Sequence, residues 1–457
     1  STLQRHSFPT RRSSDLYKMK KFFKRILLVS LVATMTSMLF AGCSKGSITK
    51  STSTTKRFVD KNPKEYKGTI TLWSWTDDPK YMIEQFKKVY PNVTVKFTQV
   101  GQDYQTKLKT VLQAGTGVPD LFVGELKNVK QWVDTDFWDN LSVAPYNAED
   151  IAKNQMQYVA DLGRDANKNL RALSWQATPG GFWYRRSLAK QYFGTDDPDK
   201  ISKMMSTMDG LLDMGKKIYV QSGGKVSLLP NYQDLYWYVY ANRKLPWVEN
   251  DKLQIDQLCL DFFDTAKQAR TEKLDAKLIA WQPAWFSASD NGSVFGYVLP
   301  TWGLQYVIKP SAPKTEGDWA ISKGPASYFQ GGTWMGLSSK STNKELAWQF
   351  LKYVVANKAY VKNYVADKGD FTSNIPIMKE IANNYSDKFA GGQNTYKFFQ
   401  EEATKINAKV ITKYDDDING MFLNAVGSYV DGKKSKDGAI AQFKKDVKNA
   451  YQDIEVK

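Results

Sequence analysis

From Gly68 to Val123 short β-branched runs alternate with amphipathic ones, an order that few folds accept. Thr69–Trp75 (TITLWSW) predicts a strand. Asp78, with Pro79 at the first helical position, opens a helix in which Met82, Ile83, Phe86 and Tyr90 recur at helical spacing. Pro91-Asn92 turns the chain into Val93–Phe97, whose residues alternate as a strand does. Asp103 caps a second helix with Leu108, Val111 and Leu112 inward, Gly115–Pro119 breaks it, and Asp120–Val123 is a third strand. Strand, helix, strand, helix, strand with short loops is the pattern of a parallel α/β sheet. A second run of α/β character begins at Leu173. Further helices are expected near 204–221 and 257–273, after a Thr342–Glu345 capping box, and over 435–454. No internal repeat is present.

What precedes this run bears on where the chain works. Residues 1–18 include Arg5–Leu16, which resembles a translated sequencing adapter more than a protein segment, so residues 1–18 are read as a non-native leader. Met19–Cys43 has a basic start, an uncharged apolar run over Ile26–Phe40, and small residues before Cys43. That arrangement describes an export signal (19–42), and the run falls short of the roughly 20 residues of a membrane span. Leu39–Cys43 resembles a bacterial lipobox, with Phe40 where an aliphatic is usual; Cys43 is then the lipidated N-terminus. An uncleaved signal anchor is the alternative. Residues 43–67, Ser/Thr/Lys-rich and aperiodic, read as a flexible linker, with order beginning at Gly68.

Removing the first 42 residues changes the chemistry that remains. His6, the one histidine, goes with them, so Ser-His-Asp and Cys-His catalysis and histidine-ligated metals are excluded. The net charge falls from +17 to about +10, spread without the clustered Lys/Arg of a nucleic-acid binder. If Cys43 carries lipid, Cys259 has no partner, and its apolar setting (Leu258–Phe263) reads as buried. The remaining roughly 415 residues suggest two or three folding units, or one long two-lobed unit.

Ordered segments after Gly68 then carry a family resemblance. LWSWTDDPKYMIEQFKKVYPNVTVKF, AGTGVPDLFV (114–123), ALSWQATPGGFWYRRSL (172–188), VFGYVLPTWG (294–303) and QGGTWMGLSSKSTNKELAWQFLKYVV (330–355) follow one another as in the solute-binding proteins of ABC importers that resemble the maltose-binding protein. The resemblance implies an α/β, two-lobed periplasmic-binding-protein-like fold, each lobe a sheet flanked by helices, joined by hinge crossings. Lobe one is expected at 66–175 plus 334–373, and lobe two at 178–331 plus 375–457. Independently, ligands of parallel sheets sit beyond the carboxyl ends of the strands. With two such sheets facing, those ends line a cleft.

A sugar offers a flat apolar face and a rim of hydroxyls, matched by an aromatic platform edged with carboxylates, amides or Arg. Trp75 and Asp77 follow strand one, Gln102 follows strand two and Glu125 follows strand three. Asp78 and Asp103 are read as helix caps, and Glu125 has a solvated loop as its alternative. By the resemblance, Tyr184 matches the tyrosine of a Tyr-Asn-Lys motif, although Arg185-Arg186 departs from it, and Trp302 matches the stacking tryptophan. Trp334 sits by the second crossing; Trp285, Tyr232 and Trp237 are further stacking candidates for which core packing is an equal reading. Asp415-x-Asp417-x-Asn419-Gly420 starts like a calcium loop, but Val426 holds the twelfth position, so an acidic turn near the cleft is expected. GTGVPD lacks the Gly-Lys-Ser/Thr end of a phosphate loop.

The expected function is therefore a lipid-anchored receptor, outside the cytoplasmic membrane, passing a sugar or oligosaccharide to ABC permease subunits. No catalytic residues, cofactor, metal or nucleic acid are expected, and the state is a monomer. The alternatives are an exported glycoside hydrolase, an adhesin without small ligand, and a binding protein for a peptide or polyol.

Overall fold

The computed structural model describes residues 56–101 and 103–457; the signal stretch, Cys43 and Gln102 lie outside them. Ten strands form two main sheets and one small hairpin: β1 (Gly68–Ser74), β2 (Val93–Gln99), β3 (Leu121–Glu125), β4 (Leu173–Ser174), β5 (Gly180–Arg185), β6 (Val248–Glu249), β7 (Lys252–Leu253), β8 (Gly296–Pro300), β9 (Trp319–Ser322) and β10 (Thr333–Leu337). The first sheet runs β2-β1-β3-β10-β4. β1 pairs in parallel with β2 along its whole length and with β3 through Leu72 and Trp73, as the alternating run predicts. Burial follows the pleat: Ile70, Leu72 and Ser74 point inward. β10 enters antiparallel to β3 from a distant part of the chain.

The second sheet, β8-β5-β9, corrects an expectation. Both of its pairs are antiparallel, so the strand-end rule for parallel sheets applies only to β1, β2 and β3. Close backbone approach fixes the β5–β8 pair, because a Cβ on Gly296 would lie 2.3 Å from the Trp183 carbonyl oxygen. Between the sheets run three crossing segments stitched to one another. Gln330 N–H donates to the Thr178 carbonyl (3.1 Å) and Ala177 N–H to that of Phe371 (3.0 Å). Gln155, buried behind them, donates to the Ser174 carbonyl (2.6 Å) and to Ser373 Oγ (2.9 Å).

Other local expectations also shift. The linker ends by Phe58, well before Gly68: the Phe58 N–H donates to Pro145 O (3.0 Å), its ring meets Tyr146, and Tyr66 is buried. Two aromatic rings and the Lys61–Glu345 ion pair (2.9 Å) give this stretch contacts that its polar composition conceals. No capping box forms at Lys344–Ala356; Ser341 and Asn343 instead donate to Asp120, and Glu345 takes Lys61. The helix expected near 204–221 forms as Met208–Gln221, capped by Thr207, and a separate helix, Pro198–Met204, precedes it. The acidic Asp415–Asp417 run is no turn but the first turn of the helix Asp415–Val430, where the helix dipole favours negative charge. There Asp415 is buried against Arg243. Cys259 is fully buried, and burial pushes its thiol up to about 12.

Candidate functional site

At the carboxyl end of β1 the chain turns on its own side chains. The Thr76 N–H donates to Ser74 Oγ (3.1 Å), and the Thr76 hydroxyl donates to Asp78 Oδ2 (2.9 Å). Asp77, not Asp78, is the residue before the helix Asp78–Val89, and its side chain makes no capping bond. Asp77 stays exposed, 3.6 Å from Lys80. Burial raises the Asp78 carboxyl above its ordinary pKa, and Asp77 adds to the rise. Trp75 is half-buried, edge-on to Tyr104 at 5.5 Å. The Tyr104 hydroxyl is itself fixed to the Val123 backbone, so the tip of β1 is tied to β3. Glu125, half-buried at the end of β3, is raised by burial and further by Asp416 of the other lobe. Asn128 donates to that same Asp416 (3.3 Å), which brings the two lobes together here.

On the second lobe Trp302 follows β8. It is half-buried, and its Nε1–H donates to the carbonyl of Gln330 in a crossing segment (3.1 Å). One face of the ring lies against Trp281, with centroids 5.7 Å apart and planes 28° from parallel. One turn onward Tyr306 is exposed, yet burial of its hydroxyl and the charges of Asp370, Asp78 and Asp77 raise its pKa. The charges of Asp77 and Asp78 thus reach the hydroxyl of Tyr306, one turn beyond Trp302. Gln176 donates to Asp370 Oδ2 (2.7 Å), as does Tyr364 (3.1 Å). Burial pushes the Asp370 carboxyl up to about 6 against those bonds.

Three expected ligand residues are elsewhere. Tyr184 is fully buried, stacked on Phe295, its hydroxyl donating to Asp196 O (2.8 Å). Trp334 is core too, its indole N–H donating to Val159 O (2.9 Å). Trp285 is buried behind Trp281 and edge-on to Tyr297. Tyr232 is buried under Arg270, and Trp237 packs on Tyr240. The placements of Gln102 and Cys43 lie outside the described residues. The structure thus leaves Trp75, Asp77, Glu125 and Trp302 outside the core at strand ends and adds Trp281 and Tyr306 beside Trp302. The WQP of Trp281–Pro283, a helix start behind an aromatic residue, was the available signal for Trp281. Two cavities, one of about 760 Å³ lined by Lys130, Arg164 and Lys409 and one of about 530 Å³ lined by Gln305, Lys362 and Tyr385, are lined by neither Trp75, Asp77, Glu125 nor Trp302.

A model of the bacterial extracellular solute-binding protein family matches residues 73–361. The chain belongs to that family. Among solved structures, an extracellular solute-binding protein of family 1 is 18% identical, with a TM-score of 0.75 over 84% of this chain and 99% of its own. An ABC-transporter-associated binding protein from B. animalis subsp. lactis, in complex with beta-1,6-galactobiose, is 18% identical, with a TM-score of 0.67 over 85% of this chain and 99% of its own. An ABC substrate-binding protein from Listeria monocytogenes, in complex with cycloalternan, is 16% identical, with a TM-score of 0.66 over 85% of this chain and 100% of its own. The likeness is one of fold: two lobes, each a sheet flanked by helices. The family is one of binding proteins, and no helix among the described residues is long and apolar enough to cross a membrane.

Proposed function

We propose that this protein captures a carbohydrate, an oligosaccharide, between its lobes and delivers it to an ABC permease without chemical turnover. The observation that carries the reading is the pairing of edges. A half-buried Trp302, pinned at its N–H, lies one turn before Tyr306, whose hydroxyl feels the charges of Asp77 and Asp78 beyond β1. A flat ring on one side and carboxylates on the other match the two surfaces of a pyranose. The fold supports the same reading, since its solved relatives include proteins in complex with beta-1,6-galactobiose and with cycloalternan. Hinge closure about the three crossing segments is the movement a permease would sense.

Screening the purified protein against a glycan panel by thermal shift tests the proposal, because a ligand that binds only the folded state raises the midpoint. A sugar that raises it and is recovered intact is the expected result. Hydrolysis of the glycan, or a shift given only by peptides or polyols, overturns it. The protein is held at the outer face of the cytoplasmic membrane by lipid on Cys43. Cys43→Ser should move it from the membrane pellet to the soluble fraction, and an unchanged pellet would refute the anchor.

A further inference from the structure

Trp281 is an expensive residue in its present conformation. It sits at the third position of the Ile279–Gln282 turn, where Gln282 N–H donates to Ile279 O (3.2 Å), with φ at +68°. Left-handed backbone is a genuine outlier for a bulky side chain. The ring is also 44% exposed and Ile279 beside it 70%, so burial gives the turn little return. The compensating contact is with other aromatics. Trp281 lies stacked on Trp302 at 5.7 Å and meets Trp285 at 5.5 Å and Phe286 at 6.0 Å. A ring centroid 5.7 Å away leaves no room for a pyranose between the two indoles. On the covered face of Trp302, Trp281 occupies the place a sugar ring would take.

We infer that Trp281 is a displaceable stand-in for a sugar ring on Trp302, and so a specificity-determining residue that admits only ligands able to outcompete it. The inference rests on the reading of Trp302 as the sugar platform. The turn can give way, since among the described residues Trp281 is held by ring contacts alone and its indole N–H meets no acceptor. Strain released when the turn leaves the left-handed region offsets part of the lost stacking. Ligands with a broad apolar sugar face displace the indole, and small or highly polar solutes do not.

The experiment compares the wild type with Trp281→Gly and Trp302→Ala by titration calorimetry against maltose, maltotriose, galactobiose and cyclic glucans. Glycine accepts the left-handed backbone, so Trp281→Gly keeps the turn while removing the ring that competes for Trp302. Removing the competitor tightens binding about three- to tenfold, the worth of one aromatic stack, most for the shorter sugars. Weaker or unchanged binding by Trp281→Gly overturns the inference, weaker binding meaning that Trp281 is itself a platform. Equal binding by Trp302→Ala overturns this inference alone, whereas silence from both wild type and Trp281→Gly across the panel overturns the sugar reading and this inference with it.

Discussion

The two lobes present different chemistry at the edges that face each other. The first ends its parallel strands in carboxylates: exposed Asp77, half-buried Asp78 and Glu125. The second presents indoles, Trp302 and Trp281, backed by the buried Trp285. The difference follows from the sheets. Parallel strands finish together and feed helix starts, which suit acidic side chains, while in the antiparallel β8-β5-β9 sheet the buried apolar strand Gly296–Pro300 leads into Trp302. A bound pyranose would satisfy both edges at once, and neither edge alone distinguishes a sugar from other solutes.

The comparison breaks most visibly if an aromatic residue assigned to the core behaves like one at the edge. Trp334 is 1% exposed and donates to Val159 O. Trp334→Ala should cost about 3–5 kcal/mol of stability in a urea titration, chiefly from the cavity, since Val159 O keeps the Gly163 N–H (3.3 Å). A cost under about 1 kcal/mol, the range of an edge residue, would remove it from the core.

That division was only partly legible in the sequence. The alternation from Gly68 to Val123 prescribes β1, β2 and β3 because each strand must bury one face, and Trp302 stands out at the end of an apolar strand. Burial of Tyr184, Trp334 and Trp285 was not legible, since a tryptophan beside a glycine or a crossing reads alike in core and cleft. Trp281 escaped because Lys277–Trp281 has no period and its positive φ is a property of the folded turn. Asp415–Asp417 misled in the opposite sense, since an acidic run suits a turn as well as a helix start.

A second test concerns Asp234, a carboxylate on the aromatic side. A backbone hydrogen bond at Asn231 only partly offsets its burial, and its charge is felt by the buried Tyr238, Tyr297 and Tyr328. Burial pushes its pKa from 3.8 up to about 7. The folded state therefore holds the proton more tightly than the unfolded chain, so ionisation costs stability above pH 7, and the cost disappears as pH falls below about 4. Asp234→Asn should gain about 2–4 kcal/mol at pH 8 and almost nothing at pH 4. Equal gains at both values in urea titrations would show the carboxylate to be well solvated. Smaller again is the effect on affinity of Trp302→Ala. Losing the platform should weaken the best glycan about ten- to a hundredfold in calorimetry, with little change in unliganded stability. Unchanged affinity would move the aromatic face elsewhere.

The finest division lies between neighbours. Asp78 is tied to the Thr76 hydroxyl and sits where burial raises its pKa, so its charge is partly committed to the fold. Asp77 is exposed and its Lys80 partner is 3.6 Å away and equally exposed, so this pair contributes little to stability. Asp77→Asn should therefore leave the unfolding midpoint within about 0.5 kcal/mol of wild type. Its effect on sugar affinity should be about three- to tenfold, the range of one ordinary hydrogen bond, since the amide oxygen still accepts, and should shrink little with salt because a sugar is neutral. If Asp77→Asn binds as well as wild type while Asp78→Asn does not, the polar edge belongs to the half-buried carboxylate. The exposed Asp77 would then be only the residue that precedes a helix.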